Sequence, residues 1–153
     1  PYVQDTKLPE AIIVDLDGTL AIKSDRSPYD YSRVFEDTVN WNVDDFVDSW
    51  YQYDPSRRHI IFLSGRSSDC REQTLEWIHQ KAFYEPGLAR TQHLFMRPSD
   101  DPSTPDFIVK DRLFEQHIAG KYNVVGVLDD RRQVVQTWRS KGLTVLDVAG
   151  HKF

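Results

Sequence analysis

The stretch that decides the fold is Ala11-Ile12-Ile13-Val14-Asp15-Leu16-Asp17-Gly18-Thr19. Four apolar residues in a row, three of them β-branched, read as a strand buried on both faces. The run then breaks into acids and a glycine, so the strand ends where chemistry can begin. Alternation in an extended segment points Asp15 and Asp17 the same way, and Gly18 permits a sharp turn.

Working outward, the same kind of unit recurs. Ile60 to Leu63, His93 to Met96, Val124 to Leu128 and Thr144 to Val148 predict further strands. Helical patterns separate them. Val43, Phe46, Val47 and Trp50 have helical spacing, with Asn42 as the expected N-cap. Arg71 to Ala82 reads as a helix with Thr74, Leu75, Ile78 and Ala82 on one face. Phe107 to Ile118 follows the same rule. Val134, Val135 and Trp138 mark a last helix, stopped near Gly142. Strands alternating with helices predict an α/β fold, a Rossmann-like parallel sheet with right-handed crossovers and helices on both faces. In such sheets ligands bind beyond the carboxyl ends of the strands, here just after Val14, Leu63, Met96 and Leu128.

Two segments break the alternation. Residues 21–41 are polar and aromatic and predict a small flap or cap inserted after the first strand. Residues 97–105 hold three prolines and read as a loop with the composition of a mobile segment. The length of 153 residues suits a single domain spanning 1–153, because domains cluster around ~100–150 residues.

Composition narrows the function classes. Nineteen Lys and Arg against 24 Asp and Glu leave a net charge of −5, so a polyanionic partner must be held by a local basic cluster rather than a broad field. No apolar run approaches the ~18 residues of a membrane span, and no basic-then-apolar signal segment opens the chain. Membrane association is not expected. The single cysteine, Cys70, excludes an intrachain disulfide and fits a reducing, cytoplasmic compartment. An opening Pro1 fits a processed chain or a domain cut from a longer protein.

Each predicted strand end carries chemistry. Asp15 and Asp17 are close enough that their proton affinities should separate, leaving one as nucleophile and the other as proton carrier. Ser64-Gly65-Arg66 offers a hydroxyl, backbone N–H groups and a guanidinium, a set that suits an oxyanion or phosphate. Asp129-Asp130-Arg131-Arg132 places two adjacent acids that need a compensating cation, and their hard oxygens suit Mg²⁺. The alternative for Asp130 is a helix N-cap. Lys110 precedes the fourth strand near a helix start. Arg26, Arg66, Arg97, Arg131 and Arg132 fall on the same side and would rim the site with positive charge, which suits a phosphate ester.

In this combination the chain resembles the haloacid dehalogenase superfamily, through Asp15-x-Asp17-Gly18-Thr19, Ser64, Lys110 and Asp129-Asp130. From about Glu10 to Phe153 it is similar to the phosphatase domain of phage-type polynucleotide kinase-phosphatase. The stretches that carry this are Arg26-Ser27-Pro28-Tyr29-Asp30, Ser64-Gly65-Arg66, and Asp129-Asp130-Arg131-x-Gln133-Val134-Val135-x-x-Trp138-Arg139. The resemblance implies a phage-type source and removal of 3′-phosphates from DNA or RNA ends during repair. Asp15 would be the nucleophile that forms an aspartyl-phosphate. Asp17 would protonate the leaving oxygen and then activate water. Ser64 and Lys110 would hold the phosphoryl group. Thr19, Gly65, Arg26, Arg66 and Asp106 would complete substrate binding, with the two arginines as phosphate ligands and Asp106 orienting a basic neighbour. Mg²⁺ would sit on the Asp15 carboxylate, the Asp17 carbonyl and the Asp129-Asp130 pair. Expected partners are nucleic-acid ends and a kinase or ligase domain absent from this chain. The kinase phosphate-binding loop G-x-x-x-x-G-K-[ST] does not occur here.

Two other readings stay open at this level: a phosphatase for free nucleotides or small phosphoesters, and a phosphate-end-binding module without turnover. Tyr29, Tyr31, Phe35 and Trp41 are candidates to stack on a base, or to pack the flap onto the sheet. Arg57 and Arg58 read as surface residues. His59, His79, His93, His117 and His151 show no metal spacing, and His59 and His151 no partner. Cys70 reads as inert.

Overall fold

A computed structural model describes residues 1–83 and 93–150. Five parallel strands form the central sheet in the order β5-β4-β1-β6-β7, and the fold is the α/β, Rossmann-like one expected. β1 (Glu10–Val14) lies in the middle. It pairs with β4 (Arg58–Ser67) on one side and β6 (Asn123–Asp129) on the other, with Val14 opposite Phe62 and Leu128. β5 (Leu94–Arg97) and β7 (Val145–Asp147) are the outer strands. The strand order therefore reverses at β1, and the doubly wound rule puts a ligand crevice at its carboxyl end.

Alternation along β1 divides the core. Ile12 and Val14 face a cluster that includes Val43 and Val47 of α1 (Trp41–Tyr53) and Trp77 and Ile78 of α2 (Arg71–Gln80). Ala11 and Ile13 face the other cluster. There they meet Val109, Leu113 and Phe114 of α3 (Asp106–His117) and Val134, Val135 and Trp138 of α4 (Arg132–Ser140). Both faces are covered, which is why β1 has no polar residue between Glu10 and Asp15. No helix among the described residues is long and apolar enough to cross a membrane.

The flap is a two-stranded antiparallel ribbon, β2 (Ala21–Ile22) with β3 (Thr38–Val39), enclosing a 3₁₀ helix over Tyr31–Glu36. It ends one residue earlier than expected, because Trp41 already opens α1. The N-cap position is Asn40, not Asn42: Asn40 has extended backbone angles, and its carbonyl accepts the Asp44 N–H at 2.9 Å. β4 also runs past Leu63. Its ladder to β5 slips between Ser64 and Ser67, so Gly65 and Arg66 form a bulge inside the strand rather than a turn after it. The loop after β5 is tied down. Arg97 Nη1 donates to the carbonyls of Asp101 and Thr104 at 3.1 and 2.6 Å. Arg58 is not a free surface residue either. Its guanidinium lies 4.7 Å from the Trp50 and Tyr53 rings and bonds the Trp50 carbonyl.

Candidate active site

The end of β1 is a tight loop. Gly18 N–H donates to the Ala21 carbonyl at 2.8 Å and Ala21 N–H to the Leu16 carbonyl at 2.8 Å. Gly18 sits at φ +83°, and a Cβ there would lie 2.1 Å from Asp130 Oδ2. Glycine is thus required twice over, once for backbone sign and once to let Asp130 close on the loop.

Asp15, Asp129 and Asp130 converge, with one carboxylate oxygen from each within 4.8 Å of the others. Lys110 comes in from α3. Its buried ammonium donates to Asp15 Oδ1 at 2.7 Å and Asp129 Oδ2 at 2.9 Å. Thr19 Oγ1 donates to Asp15 Oδ2 at 3.0 Å. Asp129 Oδ1 accepts the N–H groups of Asp130 and Arg131 at 2.9 and 3.2 Å. The N-cap position of α4 is Arg131, without a side-chain cap, so the helix-cap alternative for Asp130 does not hold. Burial, followed by the Asp129 charge, pushes the Asp15 carboxyl well above its usual range, and Lys110 only partly offsets this. Burial also works against charge on Lys110, but Asp15, Asp129 and Asp106 outweigh it and hold the proton on. Three converging carboxylates thus outnumber the one ammonium, which bonds Asp15 and Asp129. That excess of hard oxygen donors fits a divalent cation such as Mg²⁺.

Asp17 lies in a different environment. Arg66 grips it with Nε at 3.0 Å to Oδ2 and Nη2 at 2.7 Å to Oδ1, and Arg26 Nη2 adds a bond at 3.2 Å. Burial alone would raise this carboxyl. Hydrogen bonding and charge from Arg66, with Arg26 and Lys110 behind it, instead hold it below its usual range. Both arginines are fully buried and spend their other donors on Asp37, Thr74 and backbone carbonyls. Expected as phosphate ligands, they reach the site in this structure through Asp17. Asp37, buried against both guanidiniums, was not singled out by the sequence.

Ser64 is buried in β4, and its Oγ accepts the Arg66 N–H at 3.1 Å. Asp106 opens α3 and lies against the bulge, so that a Cβ on Gly65 would lie 1.8 Å from its Oδ1. Its carboxylate faces Arg131 at 3.3 Å, Arg97 at 3.6 Å and Lys110 at 3.8 Å.

A cleft of about 680 Å³ opens above Asp15, Asp17 and Lys110. Lys23, Tyr29 and Tyr31 of the flap form one wall, and Pro98 to Pro105 form the other. Of the four flap aromatics, Tyr29 is 84% exposed at this wall. Tyr31 lines the cleft and packs on the core, as Phe35 does away from it, and Trp41 belongs to α1. A second cleft of equal size lies between the N-terminal segment, α3 and α4, and none of Asp15, Asp17, Asp129 and Asp130 lines it. His59 does have partners, the rings of His93 and Tyr122 at 5.5 and 5.6 Å. His151 lies outside the described residues. Cys70 is buried, and burial pushes its thiol up, consistent with an inert residue.

Comparison with known proteins agrees with this geometry. The family described as the polynucleotide kinase PNKP phosphatase domain matches residues 9–153. A protein of Autographa californica nuclear polyhedrosis virus, named as a bifunctional polynucleotide kinase/RNA ligase, is 40% identical over 134 residues. The match covers 87% of this chain and 18% of the viral protein. Two solved structures of a Pnkp1/Rnl/Hen1 complex, one described as an RNA repair complex, contain chains 36% identical to this one. Their TM-scores are 0.82 and 0.85, covering 96% and 99% of this chain and 44% and 50% of theirs. The chain thus spans half or less of each of these proteins.

Proposed function

The chain belongs to the polynucleotide kinase PNKP phosphatase domain family, and from that premise we propose that it removes 3′-phosphates from nucleic-acid ends, with Mg²⁺ as cofactor and Asp15 as nucleophile. The observation that carries this reading is the split between two carboxylates on one loop. Asp15 faces a cation-seeking cluster, and Asp17 is clasped by two arginines.

In the first half-reaction an Asp15 oxygen bonds to phosphorus as the bond from phosphorus to the 3′-oxygen breaks. Asp17 passes its proton to that oxygen. Lys110 and Ser64 hold the equatorial oxygens. Asp17 is ionised in the free protein, so it must gain its proton with substrate. A phosphate dianion beside it raises its affinity for one, by like-charge repulsion. In the second half-reaction the ionised Asp17 takes a proton from the attacking water, and the bond between Asp15 and phosphorus breaks to release phosphate. Bound by Asp15, Asp129, Asp130 and the Asp17 carbonyl, Mg²⁺ would neutralise the carboxylates and draw charge off the phosphoryl oxygens.

The cleft supports a substrate larger than free phosphate, with Tyr29 exposed beside it and Lys23, Arg97 and Arg131 along its walls. The viral relative and the repair-complex chains support a partner activity, a kinase or ligase acting on the same ends. The test is phosphate release from a 3′-phosphorylated oligonucleotide, a 5′-phosphorylated one and a mononucleotide, with and without Mg²⁺. Fast release from the first alone, dependent on Mg²⁺, is expected. Equal rates on all three would return the protein to a general phosphatase. Binding without release would make it an end-binding module.

A further inference from the structure

We propose that Tyr29 is a stacking platform for a nucleobase next to the phosphorylated end, and that it selects nucleic-acid ends over small phosphoesters. The inference rests on the phosphatase reading given above and deepens it, by naming what the cleft recognises besides phosphate.

A single exposed aromatic ring is ordinary on a protein surface. Tyr29 is set apart by how it is held. The Asp30 N–H donates to the Ser27 carbonyl at 3.0 Å, which closes a β-turn over residues 27–30. Pro28 and Tyr29 are its two central residues, and proline at the first of them presets the backbone angle. The turn is also pinned from the buried side. Arg26 Nη1 donates to the carbonyls of Ser27, Pro28 and Asp30 at 3.2, 3.5 and 3.3 Å. Asp30 Oδ1 in turn accepts the Ser32 N–H and hydroxyl at 3.1 and 2.5 Å, so the turn runs directly into the 3₁₀ helix of the flap. Tyr29 is therefore exposed on a fixed frame, and it lines the same cleft as Asp15, Asp17 and Lys110.

The cleft suits a base. Its volume of about 680 Å³ falls in the range of sites that enclose whole organic ligands, well beyond what phosphate needs. The lining residues of the wall opposite the flap, Pro98, Ser99, Pro102, Ser103, Thr104 and Pro105, are uncharged. An aromatic ring on one side with prolines and hydroxyls on the other matches a flat face with polar edges, which a nucleobase has and a small phosphoester lacks. Tyr31 lines the same cleft but packs on the core, so of the two flap tyrosines Tyr29 is the one open to a base. Charge points the same way. With a net charge of −5 the chain has no broad field to draw in a polyanion. A contact independent of charge is then what tells a nucleic-acid end from any other phosphate. Stacking is such a contact, and it accepts every base because each has a π-face. A ring held in place beforehand loses little freedom when a base lands on it.

The experiment measures kcat and KM for Mg²⁺-dependent phosphate release from two 3′-phosphorylated oligonucleotides. One is intact, and the other lacks the bases of its last two residues. Stacking is equally strong before and during the reaction, so losing it should raise KM and leave kcat alone. On the intact end Tyr29→Ala should raise KM by ~5–150-fold, the span expected for one base on one aromatic ring. Tyr29→Phe keeps the ring and should match the unsubstituted protein. On the abasic end the unsubstituted protein should already show the raised KM, and Tyr29→Ala should change it little. An equal rise in KM on both ends would overturn the proposal, because the ring would then be touching sugar or phosphate. A fall in kcat on both ends would overturn it too, since the substitution would be acting through Arg26 and Asp17. So would a Tyr29→Phe variant as impaired as Tyr29→Ala, which would make the hydroxyl the contact. If the unsubstituted protein releases no phosphate from the intact end, the phosphatase reading falls and this proposal falls with it. If it does and Tyr29→Ala is without effect, that reading stands and the role of Tyr29 does not.

Discussion

The two halves of the site obey opposite electrostatic rules. Around Asp15, three carboxylates converge, one ammonium bonds two of them, and the proton affinity of Asp15 is raised. Around Asp17, two carboxylates face two guanidiniums, and the carboxyl is lowered. Only one residue, Leu16, separates the two aspartates. The first half carries more carboxylate charge than its ammonium offsets, which is what the proposed cation would complete, whereas in the second half the carboxylates and guanidiniums balance. Substitutions in the first half should therefore act through charge and metal, and in the second through geometry.

The sharpest way to break this contrast is Asp15→Asn. On the proposed mechanism it removes the nucleophile and one cation ligand together, because an amide neither attacks phosphorus nor carries charge. Steady-state phosphate release should fall by about 10⁴–10⁶-fold, the scale seen when a nucleophile is lost. The fold should persist, since the change removes charge from a cluster with too much of it. A purified, folded variant with near-native turnover would end the covalent mechanism.

Chelation comes next, and it separates the halves directly. Dialysis against a chelator should abolish turnover, and Mg²⁺ should restore it. The cation should also stabilise the native state, by about 2.7 kcal/mol at a hundredfold excess over its dissociation constant. A melting curve with and without Mg²⁺ reads this. Asp129→Asn should lose the shift, and Asp37→Asn should keep it. A shift lost from both variants would mean that the halves are one electrostatic unit.

Much of this arrangement was legible in the sequence, and what was missed has a physical cause. The first strand and its acids announce themselves, because an apolar run ending in Asp15-Leu16-Asp17-Gly18 suits a buried strand whose carboxyl end opens onto a crevice. Lys110 was legible only through its company with the strand-end acids. Asp37 was not legible at all. It lies in a flap that also holds Asp25, Asp30 and Glu36, and nothing local marks one of four acids as buried. Its burial comes from Arg66 and Trp77, far along the chain. The carboxylate partners of Arg26 and Arg66, Asp17 and Asp37, were hidden for the same reason. The bulge at Gly65 was hidden too, since Ser-Gly-Arg has the composition of a turn and only the ladder to β5 shows that the strand continues.

The smallest predicted effect concerns Gly65, which lies where the two halves meet. Gly65 has no positive φ, so alanine there brings no backbone strain. Its Cβ would nevertheless fall 1.8 Å from Asp106 Oδ1, so the Asp106 side chain must swing away. That loosens its links to Arg131, Arg97 and Lys110. Lys110 keeps its shorter bonds to Asp15 and Asp129, so the fold should lose no more than about 1 kcal/mol. Activity should fall further than stability, by about tenfold, because the ammonium and Arg131 lose their shared guide next to the cleft. Asp106→Asn removes the same links without adding a methyl group. The two variants should match in kcat and KM within error, and their combination should be no worse than either alone. If Gly65→Ala were much more damaging than Asp106→Asn, the bulge itself would be touching the phosphate through its backbone, and Gly65 would serve as a ligand rather than as space for Asp106.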